Sequence, residues 1–108
     1  MFVGIARISL MLADNTSLKG KRQVINKIRD RLQHRFNVAV AEIEDQDNHQ
    51  RATLGFVTVS SDHALVDSSL RKMLNYINDM HLGLLADEDM QIEKFELGSF
   101  ENMMNEKG

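Results

Sequence analysis

The chain has 108 residues, a formal net charge of −3, and no cysteine, proline or tryptophan. This length suits one compact domain, and an apolar content of 43% excludes wholesale disorder. The absence of cysteine excludes disulfides, thiol nucleophiles and zinc–thiolate sites, and it fits a reducing, cytoplasmic interior.

The first predicted strand covers Phe2 to Leu12, where residues alternate between two faces. Both faces are largely apolar, so we expect a central strand that is covered on both sides. Ser17 is a good N-cap for a first helix from about Leu18 to Arg35, whose apolar residues share one face. Lys21 lies within that apolar stripe, where a cation must reach solvent or meet an anion.

Three further strands and a second helix follow. The predicted elements are a strand over 38–44, a polar hairpin over 45–50, a strand over 51–60, a helix over 62–81, an acidic loop over 86–89 and a strand over 90–97. Ser60 or Ser61 is expected to cap the second helix, and Gly83 to end it. We expect residues 1–98 to form one domain and residues 99–108 to be a C-terminal tail.

The order βαββαβ, with a hairpin in the middle, predicts a ferredoxin-like α/β (α+β) fold. Right-handed crossovers then place both helices on one face of a four-stranded antiparallel sheet, with the first and third strands central. The alternation of the first strand and the two helical stripes predict a core of Ala6, Ile8, Leu10, Ile25, Ile28, Leu32, Val66, Leu70 and Ile77.

Three motifs carry a resemblance to a known family. They are SLKGKR at 17–22, FNVAVAE at 36–42 and DQDNHQRATLG at 45–55. Their order and spacing resemble the YlxP-like family, small bacterial proteins of unassigned function with a ferredoxin-like fold, over about residues 1–80. Where that family usually carries an aromatic residue, often tryptophan, this chain has His49. Genes of the family often lie beside those for translation initiation factor two and ribosome-binding factor A, so the resemblance implies a role around ribosome maturation or translation.

The charge is distributed unevenly along the chain. Residues 1–36 carry eight of the thirteen Lys and Arg side chains and two acidic ones, a net of +6, whereas the remaining residues have a net of −9. A basic first helix with a capped N-terminus is suited to phosphate groups, and Gly20 would let a ligand approach the backbone. The candidate anion-binding or RNA-binding residues are Ser17, Lys19, Lys21, Arg22 and Arg29.

Two classes of partner fit this basic helix, besides a solvated face whose lysines pair with the acidic half of the chain. The first is RNA or a ribosomal particle, bound through the backbone, because the strands lack the aromatic pattern of base-reading RNA-binding domains. No DNA specificity and no membrane association are expected. The alternative is a protein–protein interaction module that docks an acidic partner, with Arg22 and Arg29 as bidentate anchors.

No enzyme, metal or cofactor is predicted. The polar hairpin residues Glu42, Asp45, Asp47, His49 and Arg51 match no metal-binding loop and are interpreted as a structural hydrogen-bond or ion-pair lattice. Ser60 and Ser61 stand at capping spacing from Asp62 and His63, without the turn that surrounds a nucleophilic serine.

A homodimer is expected that uses either the second face of the first strand or an edge strand. Val3, Ile5 and Met11 make this face more apolar than a solvated sheet surface. A second copy or a folded-back C-terminal segment would each cover it.

Overall fold

The computed structural model describes residues 1–96 and Gly98. Its elements are β1 (Phe2–Met11), α1 (Leu18–Arg35), β2 (Ala39–Glu44), β3 (Arg51–Ser60), α2 (His63–Asp79) and β4 (Leu84–Lys94). The strands form one antiparallel sheet in the order β2-β3-β1-β4. The predicted ferredoxin-like α+β fold, with β1 and β3 at the centre, is confirmed.

The core lies between the sheet and the two helices. Even-numbered β1 residues point into it, and an added Cβ at Gly4 would meet Val66 and Leu70 of α2. All nine core residues predicted from periodicity are at most 4% exposed. Both helices therefore cover the same face of the sheet. We call the opposite face the open face.

The fourth strand corrects the sequence prediction, because it begins at Leu84 and not at Met90. The acidic segment expected to be a loop, 86–89, pairs with β1 across a bulge near Leu10. Asp87 forms an ion pair with Arg7, 3.0 Å between oxygen and nitrogen. Backbone pairing with a central strand thus overrides the low β-propensity of the acidic residues.

The ends of α2 also differ from the prediction. The cap is Asp62, whose Oδ1 accepts from the backbone N–H groups of Ala64 and Leu65, while the Ser60 hydroxyl accepts from the Asp62 N–H. The helix ends at Asp79, and His81, not Gly83, adopts the left-handed conformation (φ 52°). Gly83 has another role: an added Cβ would lie 3.0 Å from the Met11 carbonyl oxygen, so glycine allows close approach to the end of β1.

The two faces of β1 differ in burial. On the open face of β1, Ser9 is fully buried and Ile5 is 42% exposed. β4 ends at Lys94, and the predicted tail of residues 99–108 lies outside the described residues. Within the described part of the chain, neither helix has the length and apolar character that a bilayer-spanning segment needs.

Candidate functional site

The N-terminus of α1 is closed by polar groups of the chain itself. The Ser17 Oγ accepts from the Gly20 N–H at 3.0 Å, which confirms Ser17 as the cap. The Asn15 side chain donates to the carbonyls of Ser17 and His49. Its Oδ1 occupies the space that a Cβ on Gly20 would fill. Gly20 therefore leaves room for the Asn15 side chain. The prediction that a ligand approaches the backbone at this glycine is wrong, because Asn15 fills that space.

Lys21 is buried beneath the β2–β3 hairpin and is only 1% exposed. Its Nζ lies 2.7 Å from Oε2 of Glu42 and donates to the carbonyls of Asp45 (2.8 Å) and Gln46 (3.2 Å). Lys21 therefore meets an anion instead of reaching solvent. The prediction that Lys21 is a surface cation for anion binding is wrong, because its ammonium group pairs with Glu42 inside the protein.

Hairpin residues from the predicted lattice meet around Asp45, which has a left-handed backbone (φ 60°). Its Oδ2 accepts from the Thr53 hydroxyl at 2.7 Å and from Nε of Arg51 at 3.2 Å. The Thr53 hydroxyl also lies 3.1 Å from that of Ser9, and both residues are fully buried. This chain of polar contacts fixes the hairpin to the centre of the sheet.

Asp47 and His49 stay outside this lattice. Both are exposed, and His49 contributes its backbone carbonyl, which accepts from Asn15. Across residues 1–96 and Gly98, no three His, Asp or Glu side chains converge at metal-binding distances.

The serines near α2 have local structural partners. Ser60 accepts from the N–H of Asp62, and the His63 ring packs edge-to-face on Phe2 at 5.3 Å between centroids. In the described part of the chain no serine hydroxyl is hydrogen-bonded to a histidine, so no pair of the nucleophile-and-base type is assembled there.

Arg29 lies at the free edge of β2 and is half-buried. Its Nε donates to the Val40 carbonyl at 3.4 Å, and its Nη1 donates to the Asn26 side chain at 3.0 Å. The side chain thus links α1 to the sheet edge. Of the five predicted anion-binding residues, only Lys19 and Arg22 present an exposed cation.

A longer row on α1 consists mainly of cations, and of its members only Lys19 was among the predicted site residues. Lys19, Gln23, Lys27, Arg31 and Arg35 are all exposed and spaced four residues apart. Consecutive residues at this spacing are neighbours on a helix surface, and the row from Lys19 to Arg35 rises about 24 Å while it winds about 160° around the helix axis. We call these five residues the α1 ridge. The spacing of four was visible in the sequence, and it would have identified the ridge.

The cations of the ridge lack acidic partners within the described part of the chain. The ion pairs found there involve Arg7, Lys21, Arg51, Arg71 and Lys94. Arg35 instead lies over the Tyr76 ring, 4.7 Å from its centroid. Part of the acidic excess lies on β4, at the sheet edge away from β2, whereas Glu42 and Asp45 lie beside the first turn of α1, where they contact Lys21.

A four-stranded antiparallel sheet with both helices on one face defines an α+β domain of the ferredoxin-like class. The profile of the family described as "Protein of unknown function (DUF503)" matches residues 3–90. The chain belongs to this family.

The resemblance to YlxP-like proteins is also confirmed. The chain is 37% identical over 76 residues to "Uncharacterized protein YlxP" of Bacillus subtilis strain 168, a match that covers 70% of this chain and 83% of that protein. Neither the family description nor this relative carries an assigned activity, so neither brings catalytic residues to the chain.

Solved structures share the fold. Protein Atu4242 from Agrobacterium tumefaciens has a TM-score of 0.53 at 12% identity, with 89% of this chain and 94% of that chain covered. The de novo designed protein Foldit4 has a TM-score of 0.52 at 12% identity, with 88% and 98% covered. At these identities the likeness concerns the backbone architecture alone.

Proposed function

We propose that the protein is a non-enzymatic, cytoplasmic accessory protein of ribosomal particles that binds RNA through phosphate groups. The observation that carries the proposal is the α1 ridge, in which four of the five exposed side chains are cations without a carboxylate partner in the described part of the chain. Lys and Arg side chains of this kind contact the phosphates of a nucleic acid, and neutralising those phosphates releases condensed counterions.

The binding surface differs from the one expected at the helix N-terminus. It extends along α1 through Lys19, Lys27 and Arg31, with Arg22 beside the first turn and without Lys21. The 12 residues of helix from Lys19 to Arg31 span about 18 Å, so these cations are spread over a longer surface than the helix N-terminus alone.

Recognition is expected to be independent of base sequence. The open-face positions of β1 and β3, among them Val3, Ile5, Val57 and Val59, include no aromatic ring for a base to stack on. The ribosomal setting is supported by the gene neighbourhood of the YlxP-like family.

The direct test is the salt dependence of binding to a short RNA hairpin. Neutralising two ridge cations, Lys27→Gln with Arg31→Gln, should reduce the slope of log K against log salt by about 1.4 to 1.8, and weaken binding at low salt. The matched control neutralises Arg71 and Lys72 on α2, and should leave both quantities unchanged. Equal slopes in the ridge variant and the wild type would contradict the proposal.

The cellular test is co-sedimentation with ribosomal particles before and after ribonuclease treatment. Association that is lost on nuclease treatment and in a Lys27→Glu/Arg31→Glu variant supports RNA binding. Association that resists nuclease but is lost in the variant would replace RNA with an acidic protein partner. Lys21 is left unchanged in these variants, because its substitution would disturb the fold.

A further inference from the structure

The two edges of the sheet differ in how far their backbone is already hydrogen-bonded. At the β2 edge, Arg29 Nε of α1 donates to the Val40 carbonyl at 3.4 Å. Gln33 Nε2 of α1 donates to the carbonyl of Val38, just before the strand, at 3.5 Å. β2 is also short, with six residues and a bulge in its pairing with β3. Short, bulged and covered edges resist the addition of a further strand.

The β4 edge is longer and is not covered in this way. β4 has 11 residues, and from Asp87 to Lys94 its register with β1 is continuous. Among the described residues, no hydrogen bond from outside the β1–β4 ladder reaches the backbone of residues 84–94. An edge strand directs part of its N–H and C=O groups away from its neighbour. These outward groups of β4 are available to another extended segment.

A groove lies along this edge, between α2 and β4. It has a volume of about 680 Å³, and Leu74 of α2 and Met90 of β4, which pack against the core, lie in its wall. Glu88 and Asp89 of β4 line it as well. Glu88 lies opposite the core residue Ile8 and points to the helix side, so Asp89 points to the open face. A groove lined by both of these neighbours reaches the edge of β4 itself.

The charge of this edge is negative. β4 carries four acidic side chains and one basic side chain. Glu88 and Asp89 form no ion pair among the described residues. Arg71, which also lines the groove, is bonded to Asp67 of its own helix at 3.0 Å. Two neighbouring carboxylates that point to opposite faces of the sheet are thus available at the edge.

We propose that the β4 edge binds an extended, basic segment of another protein, which adds to the sheet as a fifth strand. Backbone hydrogen bonds join the segment to β4, as in other complexes formed by strand addition. Opposite charges on neighbouring strands stabilise a sheet, and like charges destabilise it. The residues of the segment beside Glu88 and Asp89 are therefore Lys or Arg. The residue beside Met90 is apolar, because it enters the groove next to Leu74.

Other occupants fit this edge less well. The carboxylates repel RNA. A second copy of the chain offers β4 itself or β2 with Glu42 and Glu44, and both strands carry a net negative charge. The open face is therefore left for the predicted homodimer. The proposal does not rest on RNA binding, because α1 packs on β2, whereas the groove lies between α2 and β4.

The first experiment is an NMR titration of the ¹⁵N-labelled protein with the peptide Lys-Arg-Val-Thr-Val-Thr, matched to residues 88–93, and with its reverse sequence, since a strand can add in either direction. The amides of residues 84–94 should shift with one of the two peptides. Glu88→Gln/Asp89→Asn should weaken this binding about 2- to 30-fold, because two cross-strand charge pairs are lost. Absence of binding by both peptides would overturn the proposal.

The matched control is Glu44→Gln/Asp47→Asn. Both residues are exposed and lie at the β2–β3 hairpin, so this variant has the same net charge as the groove variant. It should bind the peptide as the wild type does. Equal losses in the two variants would reduce the interaction to non-specific attraction and overturn the proposal. Circular dichroism shows that each variant is folded.

The second experiment tests strand addition itself. Two versions of the bound peptide carry N-methyl groups on alternate residues, one on the odd positions and one on the even positions. Each version loses the N–H donors of one edge and keeps those of the other. One version should bind like the parent peptide, and the other about tenfold or more weakly, because it loses three hydrogen bonds to β4. Equal binding of the two versions would overturn the proposal.

Further controls separate this proposal from its alternatives. A wild type that is dimeric by light scattering, and from which the peptide releases monomers, would assign the edge to a second copy and overturn the proposal. Lys27→Gln/Arg31→Gln should leave peptide binding unchanged, and Glu88→Gln/Asp89→Asn should leave the salt dependence of RNA binding unchanged. Either proposal can therefore fail while the other stands.

Discussion

The ammonium nitrogen of Lys21 lies 2.7 Å from Oε2 of Glu42, and Lys21 is 1% exposed while the Glu42 side chain is 20% exposed. The contact joins the first turn of α1 to the strand that begins the hairpin. It converts a charge in the apolar stripe of a helix into a fixed connection between helix and sheet. The same contact removes Lys21 from the surface that we propose for RNA binding.

Replacing Lys21 should therefore lower stability strongly. Lys21→Met keeps the aliphatic stem but leaves the Glu42 carboxylate and two hairpin carbonyls without their donor, so we expect a loss of about 3 kcal/mol in urea unfolding. Lys19→Met, an exposed neighbour, should change the free energy of unfolding by less than about 0.5 kcal/mol. In the double variant Lys21→Met/Glu42→Leu more than half of the loss should return. Equal effects at Lys19 and Lys21 would show that the buried pair is unimportant.

Gly20→Ala should destabilise the protein although alanine is the better helix former. The added Cβ would overlap the Asn15 side chain, and overpacking of this kind costs about 1 to 3 kcal/mol. With Asn15→Gly present, the same substitution should stabilise by about 0.5 to 1 kcal/mol, because only its helix propensity remains. Thermal or urea unfolding of the wild type, the two single variants and the double variant measures whether the effect of Gly20→Ala on stability changes sign. A stabilising Gly20→Ala in the wild-type background would contradict the contact.

Thr53→Val should cost about 1 to 3 kcal/mol in the same unfolding measurement. The side chains have similar shape, but the substitution removes the hydroxyl that donates to Asp45 and contacts Ser9, and it leaves buried polar atoms unpaired. Thr53→Ser keeps the hydroxyl and serves as the control, with the smaller loss expected. If serine and valine were equally destabilising, the lost methyl or the altered packing would be the cause instead of the hydrogen bonds.

The identity of the α2 cap can be tested with three alanine substitutions. Asp62→Ala should cost about 0.5 to 2 kcal/mol, because the backbone N–H groups of Ala64 and Leu65 lose their acceptor. Ser61→Ala should be nearly neutral. Ser60→Ala should have an intermediate effect, since its hydroxyl accepts only from the N–H of Asp62. A larger loss of stability in Ser61→Ala than in Asp62→Ala would show that Ser61 is the cap instead of Asp62.

The sequence predictions are accurate where the interactions join residues close in sequence, and less accurate where they join distant residues. Ser17 caps its own helix three residues on, and the core residues Ile28 and Leu70 follow from helical periodicity; both predictions are confirmed. The start of β4 was predicted six residues too late, because it depends on pairing with β1 and on the Arg7–Asp87 ion pair, which lie far apart in sequence. Of the predicted anion-binding residues, Lys21 is removed from the surface by its contact with Glu42, a residue distant in sequence.

By itself the sequence determined the order of elements, the ferredoxin-like class and the residues that fill the core, because periodicity and capping act within a few residues. Only the tertiary structure decided how each polar group is used. Glu42 is 21 residues from Lys21, and Asn15 competes with any ligand for the space beside Gly20. The same basic helix thus contains one cation held in the interior and a row left on the surface, and burial against a partner distant in sequence makes that difference.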